Sequence, residues 1–518
     1  MKTRRLATLI GIICLVLISG LIQPLAASAM DGQRRGMGPA LGALPGEIPR
    51  PPPGVMPVVF ISGKPYDMGF QYGRQLATYI LRVKQALWAQ LLQKADKATL
   101  LQHLLKYDAV IRKEAPEMIP VMEGMAAGSR VSYEDILMIN SYVDVAWARP
   151  VQACSGFAAW GKATKDGKTI AAINFDFFPN PFSYRAIIIA YPDKGNSFIS
   201  TGYAGVLGNN FTLNEKGLVE LNNHGEYVRP EDKGYGLPAM LIPGHIAMTC
   251  GTWEDARDFM LNATISMGVV RHFQDIEGAG CVVESTAAKA KVRYAGDFGE
   301  NDYLIETNHW LIEEMKDTKW PMPRPGSSEY RYMTIQKYVR DQHGSLDVEA
   351  FMKILGEFKR YWDGNEWQSP EGWTGNTVNC VSPVTGTHAA QIAVPAEKTV
   401  YLRTGDATCL WGTLAPGHTG EFVKLVLQES PAGVTAAAAK TAQEDLWHAA
   451  QTLVDSTDLN LMRMLDRAKI QYWQGLAYQA DAANETGDQA LMSYSQAASC
   501  FCKAQAYARQ VRRLAGKH

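Results

Sequence analysis

The chain has 518 residues, of which 47% are hydrophobic and 20% charged, with a formal net charge of −1 at pH 7. This is globular composition, not that of a disordered protein, and the length allows two or three domains around a large core. The near-neutral charge excludes a general electrostatic affinity for nucleic acid or anionic membranes.

Lys2, Arg4 and Arg5 precede an apolar run from Leu6 to Ile22, and Ala27-Ser28-Ala29 supplies a small-residue cleavage pattern. Residues 1–29 are therefore expected to be a signal peptide, with export to the periplasm or exterior and no stable membrane insertion once it is removed. A retained anchor is the alternative, and Thr3-Arg4-Arg5-Leu6 is compatible with twin-arginine export. Residues 30–57, rich in Gly, Pro and Arg, are expected to form a flexible linker.

Residues 58–153 are expected to be mostly helical. Apolar spacing predicts a helix over Tyr66–Gln93, and Ser132-Tyr133-Glu134-Asp135 opens another as a capping box. From Cys154 the texture changes to short β-like runs: Thr169–Phe175, Ala186–Tyr191, Ser197–Thr201 and Gly217–Leu221. Helices are expected near Pro238–Cys250 and Trp253–Leu261, then strands at Gly268–Phe273, Gly280–Glu284, Lys291–Ala295 and Tyr303–Glu306. Helices over Ser328–Arg340 and Asp347–Phe358 precede strands at Thr377–Val381, Ala389–Val394 and Thr399–Leu402. This alternation is that of a layered sheet domain over 154–424, not of a solenoid. Residues 425–518, rich in Ala, Gln, Leu and Met, predict a helical bundle with breaks at Ser456–Asp458 and Glu485–Asp488. Such a bundle packs on the main domain or presents a face to a partner or a membrane surface.

Signal removal takes away Cys14 and leaves Cys154, Cys250, Cys281, Cys380, Cys409, Cys500 and Cys502. If six of these pair in an oxidising compartment, one stays free, and Cys154 is the choice for it. No CxxC or other zinc spacing is present, and no metal or cofactor is expected.

Ala153-Cys154-Ser155-Gly156-Phe157 heads a β-prone run, and Asn174-Phe175-Asp176-Phe177 ends the next one. Cleavage between Ala153 and Cys154 would place an α-amine, of pKa about 7.7–8.0, beside the thiol, where it can take the thiol's proton without a histidine. Each residue also has an ordinary reading: Cys154 as a small buried hydrophobe, Asp176 as a turn aspartate, Asn308 as a cap. His224 and His309 are candidate bases for a Cys–His pair, although no papain-type motif is present.

Gly63-Lys-Pro-Tyr-Asp-Met-Gly-Phe-Gln-Tyr-Gly73, Glu123-Gly-Met-Ala-Ala-Gly128, Leu137-Met-Ile-Asn140, Ala153-Cys154-Ser155, Ile173-Asn174-Phe175-Asp176-Phe177, Asn214-Glu-Lys-Gly-Leu218 and Glu306-Thr-Asn-His309 follow one another in order. Together, over about residues 58–410, they resemble the acyl-coenzyme A:6-aminopenicillanate acyltransferase family of cysteine-type N-terminal nucleophile (Ntn) hydrolases. The resemblance implies an α+β, four-layer αββα sandwich made as a precursor that cuts itself before Cys154, with the 58–153 segment kept as a small subunit. It implies that Cys154 is the processing and catalytic nucleophile and forms a thioester, that Asp176 orients it and its amine, and that Asn308 donates to the oxyanion. Two departures stand out: Ala153 replaces the usual glycine, and Gly372–Thr377 lacks the family's late active-site arginine, for which Arg331 and Arg403 are the candidates. The expected function is hydrolysis, or transfer, of the acyl group of a small acyl-amide. Competing readings are a catalytically idle binding or scaffold protein and a Cys–His peptidase.

Overall fold

The computed structural model describes residues 55–516 except 147–153, 178–183, 226–228, 230–232, 319–324, 369–376, 381–385, 405–408, 411–412 and 415–419. The expected signal peptide, most of the linker, Ala153 and Gly372–Asn376 lie outside the described residues.

Two sheets face each other. The larger is built from β1 (Val58–Gly63), β4 (Arg185–Pro192), β5 (Phe198–Tyr203), β6 (Phe211–Asn214), β7 (Val219–His224), β8 (Val269–Gln274), β9 (Gly280–Ser285) and β10 (Ala290–Arg293), in that spatial order. The smaller contains β2 (Ser155–Ala159), β3 (Ile170–Phe177), β11 (Tyr303–Glu306), β14 (Gly386–Val394), β15 (Thr399–Thr404) and β16 (Phe422–Val426), ordered β11-β2-β3-β14-β15-β16. Phe60, Ile187, Ile189, Ile199 and Leu213 of the larger sheet meet Ala171, Ile173, Ala393, Val400 and Leu402 of the smaller in one inner core. Both faces of each sheet are covered, so a strand such as β3 is buried along its whole length and reads as a run, not an alternation.

The outer face of the larger sheet carries α1 (Pro65–Gln75), α2 (Ala77–Leu91), α3 (Lys97–Glu114), α4 (Met118–Ser129), α5 (Tyr133–Ala146), α6 (Ile242–Thr249) and α7 (Trp253–Asn262). Tyr72, Leu87, Tyr107, Met122 and Met260 join Val59, Ile188, Val269 and Val283 there. The outer face of the smaller sheet carries α8 (Ser327–Asp341) and α9 (Val348–Leu355), with Ile335 and Phe351 against Phe157, Ile170 and Ile392. The architecture is therefore the expected four-layer αββα sandwich, with an added helical region at the C-terminal end.

The glycines of the opening motif act in packing. A Cβ at Gly69 would lie 2.0 Å from the Val121 carbonyl oxygen, and one at Gly73 would lie 2.3 Å from that of Met125. Reciprocally, Cβ atoms at Gly124 and Gly128 would lie 2.1 Å and 2.2 Å from the Tyr66 and Phe70 oxygens. Helices α1 and α4 thus touch backbone to backbone, which only glycine permits. The helix predicted over Tyr66–Gln93 breaks at Leu76 (φ −111°), so that α1 can turn this face to α4 while α2 turns Ile80, Val83 and Leu87 inward.

Three long helices close the chain: α10 (Pro431–Thr452), α11 (Leu459–Asn484) and α12 (Gly487–Ala515). α12 lies along the edges of both sheets. Ser499 and Ser495 accept from the backbone N–H groups of Val58 and Phe60 on edge strand β1, each at 2.9 Å. Gln505 accepts from Lys424 N (2.8 Å) and donates to Lys424 O (3.2 Å) on edge strand β16. Side chains of one helix thus satisfy two open ladders that would otherwise be templates for foreign strands.

Several expectations are corrected. Val58–Gly63, placed in a helical block, is a strand parallel to β4; it is too short for a period to show before Pro65 begins the helix. No strand forms at Thr377–Cys380, where Asn379 N bonds instead to Glu357 O (3.0 Å). The helix from Asp347 stops at Leu355, and β12 (Lys359–Trp362) and β13 (Asn365–Gln368) follow as a hairpin. Its turn, Asp363-Gly364, has both φ values positive (47° and 79°), a recognisable hairpin signal. Cys154, Cys250, Cys281, Cys380, Cys500 and Cys502 are all buried free thiols, so the condition of six paired cysteines is not met among the described residues. Cys500 and Cys502 sit two apart on one helix, pointing to different sides. No helix among the described residues is long and apolar enough to cross a membrane.

Candidate active site

The strand ends gather the chemistry. Ser155 on β2 pairs with Asn174 on β3, so Cys154, just before β2, sits beside Phe175 and Asp176. Cys154 is 2% exposed, and its thiol donates to the main-chain oxygen of Asp176 at 3.6 Å. Burial, and then the neighbouring Asp176 carboxylate, push the thiol up to about 12. In the intact chain the environment alone does not make a thiolate; a base is required.

Asp176 is fully buried. Its Oδ1 accepts from Thr387 Oγ1 across the β3–β14 ladder, and its Oδ2 has no hydrogen-bond partner among the described residues. Burial raises this carboxyl to about 7 against the lowering effects of Thr387, Arg331 and Arg403. Asn174, on the same strand, donates through Nδ2 to the carbonyls of Leu355 and Val378, both at 2.8 Å.

Arg331 ties the site together. From α8 its Nη1 donates to the Cys154 carbonyl and to Ser155 Oγ (2.8 Å), its Nη2 to Asn308 Oδ1 (2.5 Å), and its Nε to Ser327 Oγ (3.1 Å). It is fully buried. Asn308, in the loop after β11, donates through Nδ2 to the His224 carbonyl (2.7 Å), while its own N–H donates to Ser328 Oγ (2.7 Å). One of the two Nδ2 hydrogens is thereby engaged. Arg331 thus joins Cys154, which the resemblance makes the nucleophile, to Asn308, which it assigns to the oxyanion.

Of the two arginines left open in the sequence, Arg331 takes the central place. Its signal was available: Ser328, Arg331 and Ile335 lie on one helical stripe, so an arginine occupies a core-facing position in the first turns of a helix, where the dipole disfavours cations. Arg403, at the end of β15, is buried near Asp176 and lies over the Phe422 ring at 5.6 Å. Two further residues went unremarked in the sequence. His388 Nε2 donates to the Phe177 carbonyl at 3.0 Å, and Arg185, at the head of β4, places its guanidinium 4.4 Å from the centre of the Phe175 ring.

Neither histidine singled out in the sequence pairs with the thiol. His224 stands against Phe177 (ring centroids 5.9 Å apart), and burial drives it down to about 4. His309 is hydrogen-bonded to Thr307 Oγ1 (3.1 Å) and Ser328 Oγ (2.8 Å).

Behind β2, Glu306 holds His272 Nδ1 at 2.7 Å, and a Cβ at Gly156 would lie 1.7 Å from Glu306 Oε1. Gly156 is thus required for β2 to lie against this buried pair. A cavity of about 450 Å³ lined by Ser197, Glu215, Glu397, Lys398 and Ser430 lies at the opposite end of the sandwich, where Thr399 pairs with Val426, and takes no part in this chemistry. Among the described residues no group of His, Cys, Asp and Glu is placed to hold a metal ion.

Residues 163–392 match the model of the family described as acyl-coenzyme A:6-aminopenicillanic acid acyl-transferase. The match begins after Cys154 and includes Asp176, Asn308 and Arg331. An uncharacterised protein of Archaeoglobus fulgidus is 25% identical over 342 residues, or 58% of this chain, and the aligned part spans 57% of that relative's length. Among solved structures, a variant of conjugated bile acid hydrolase from Clostridium perfringens aligns with a TM-score of 0.34 at 15% identity, covering 48% of this chain and 89% of that one. A Caenorhabditis elegans orthologue of N-acylethanolamine-hydrolyzing acid amidase aligns with a TM-score of 0.34 at 13% identity, covering 53% and 100%.

Proposed function

We propose that the chain, whose residues 163–392 match the model of the acyl-coenzyme A:6-aminopenicillanic acid acyl-transferase family, is a self-processing cysteine amidohydrolase. The observation that carries this reading is the Arg331 guanidinium spanning the Cys154 carbonyl and Asn308, with Asp176 next to the thiol. The Cys154 thiol first attacks the Ala153 carbonyl, the acyl group passes from the Cys154 nitrogen to Sγ, and water hydrolyses this thioester, releasing the Ala153 carboxylate and restoring the thiol. The freed α-amine, with a pKa near neutrality, then supplies the base that a buried thiol of about 12 demands. Asp176 Oδ2, buried and unpartnered, is the acceptor for the resulting ammonium.

In turnover the thiolate attacks the amide carbonyl and the amine leaves with the proton carried by the Cys154 nitrogen. Water hydrolyses the thioester, or a second amine takes the acyl group. The remaining Asn308 Nδ2 hydrogen and nearby backbone N–H groups serve the oxyanion, a contribution of about 2.7–4 kcal/mol per donor in such sites. The signal-like N-terminus supports export, where acyl-coenzyme A is scarce and water is the acceptor at hand. The substrate is accordingly a small acyl-amide.

Intact mass and N-terminal sequencing of the purified protein test this directly. Two fragments are expected, the larger beginning Cys154-Ser155-Gly156-Phe157, followed by turnover in a screen of linear and cyclic amides. A single chain that stays uncut on long incubation would refute self-processing and favour the idle, scaffold reading.

A further inference from the structure

Arg185 is 3% exposed and stands at the end of the inner space where Cys154 lies. Nη2 donates to Thr201 Oγ1 (3.3 Å) and Asn210 Oδ1 (3.5 Å), both long bonds to neutral acceptors. Nε and Nη1 have no hydrogen-bond partner among the described residues, and no carboxylate pairs with the guanidinium. The polar groups around it are engaged elsewhere: Asn210 Nδ2 donates to Gln391 Oε1 (3.3 Å), and Thr201 Oγ1 accepts from Gln391 Nε2 (2.8 Å). Tyr72 Oη donates to Val206 O at 2.9 Å, and Tyr203 Oη to Ile139 O at 3.2 Å. Its one close compensating contact is the Phe175 face at 4.4 Å. Of the other buried arginines, Arg271 holds Glu220, Arg293 holds Glu284 and Glu300, and Arg331 and Arg403 feel the Asp176 carboxylate. A buried guanidinium without a counter-ion is costly unless an anion completes it.

We propose that Arg185 binds a carboxylate of the substrate, so that the preferred amides are those bearing a free carboxylate close to the scissile bond. Three features select this ligand. Phe175, which carries the guanidinium, follows Asn174, the cross-strand partner of Ser155, so an anion on Arg185 sits beside Cys154. A single cation balances a monoanion and would leave a phosphate dianion half paired. Phe175 presents its ring face, and the Tyr72 and Tyr203 hydroxyls donate to main-chain carbonyls, so none of them offers a competing donor. The assignment rests on the amidohydrolase reading of the same site and names its substrate class.

Alkylation of Cys154 in the purified protein, read by peptide mass, tests the anchor without requiring turnover. Iodoacetate carries a carboxylate one carbon from the reacting centre; iodoacetamide is its neutral isostere. Anchoring predicts that iodoacetate reacts faster, by about tenfold or more, as expected for a charge-assisted hydrogen bond. Arg185→Met should abolish the preference and Arg185→Lys should keep part of it. If Arg185 only steadies the thiolate, both reagents slow together and their ratio stays unchanged, which overturns the proposal. A wild-type ratio below one, or no labelling by either reagent, overturns it without recourse to variants. The two readings fail separately. Amide turnover with a ratio below one removes the anchor and leaves the hydrolase; a ratio above one with no amide turned over does the reverse.

Discussion

Replacing Arg331 with Lys keeps the positive charge and removes the fork. The guanidinium makes four hydrogen bonds in different directions, to Cys154 O, Ser155 Oγ, Asn308 Oδ1 and Ser327 Oγ, and a single ammonium on a differently shaped stem cannot reach all of them. Losing the bonds to Asn308 and Ser155 leaves two buried oxygens short of a donor, at about 1–3 kcal/mol each. If about 3 kcal/mol of this falls on the positioning of Cys154 and Asn308, kcat/KM drops by about 10²-fold. A second readout separates this from simple loosening. Arg331 lowers the Asp176 carboxyl, so Arg331→Met, which removes the charge, should move the alkaline-rising limb of the pH–rate profile to higher pH, whereas Arg331→Lys should move it less. The assay is steady-state turnover of the best amide from pH 5 to 9, with thermal melts on the same samples. An Arg331→Lys enzyme with unaltered kcat/KM, or an Arg331→Met profile unmoved along the pH axis, would refute the role given to this residue.

Five further outcomes are expected. With the carboxyl of Asp176 raised to about 7, activity should climb as pH rises through that value, and Asp176→Asn should erase both the activity and the limb. The stability effect of this group has the opposite sign: because its folded value of about 7 lies above that of an ordinary carboxyl, stability is lost as pH rises from about 4 to 7, and urea melts of Asp176→Asn should show a shallower fall over that window. Gly73→Ala forces a Cβ against the Met125 carbonyl and should cost about 1–3 kcal/mol by overpacking, visible as a lower melting temperature. Ser495→Ala with Ser499→Ala strips Phe60 N and Val58 N of their acceptors; about 1–3 kcal/mol per orphaned group and greater aggregation in light scattering are expected. Gly156→Ala, driven into Glu306, should yield little folded protein, measured as soluble yield beside the wild type.

Much of the local order was legible along the chain because it depends on neighbours in sequence. Ser132 and Asp135 cap α5 reciprocally at 3.2 and 3.0 Å, and the breaks around Ser456–Asp458 and Glu485–Gly487 separate the last three helices. Cys154 at the head of one strand and Asp176 at the end of the next followed from two β-prone runs and the spacing between them. What the sequence could not decide is which distant elements meet. β1 is a strand because β4, over a hundred residues on, offers it a partner, and α12 faces two sheet edges only because β1 and β16 end up side by side. Arg331 stands on an ordinary helix and becomes central because α8 packs over the start of β2. Arg185 is unremarkable in Tyr184-Arg185-Ala186 and acquires its chemistry from the opposite sheet, which sets Phe175 beneath it and leaves no carboxylate within reach. Periodicity and capping are encoded within a few residues; burial, counter-ions and the company a side chain keeps are properties of the packed layers, and the site was assembled there.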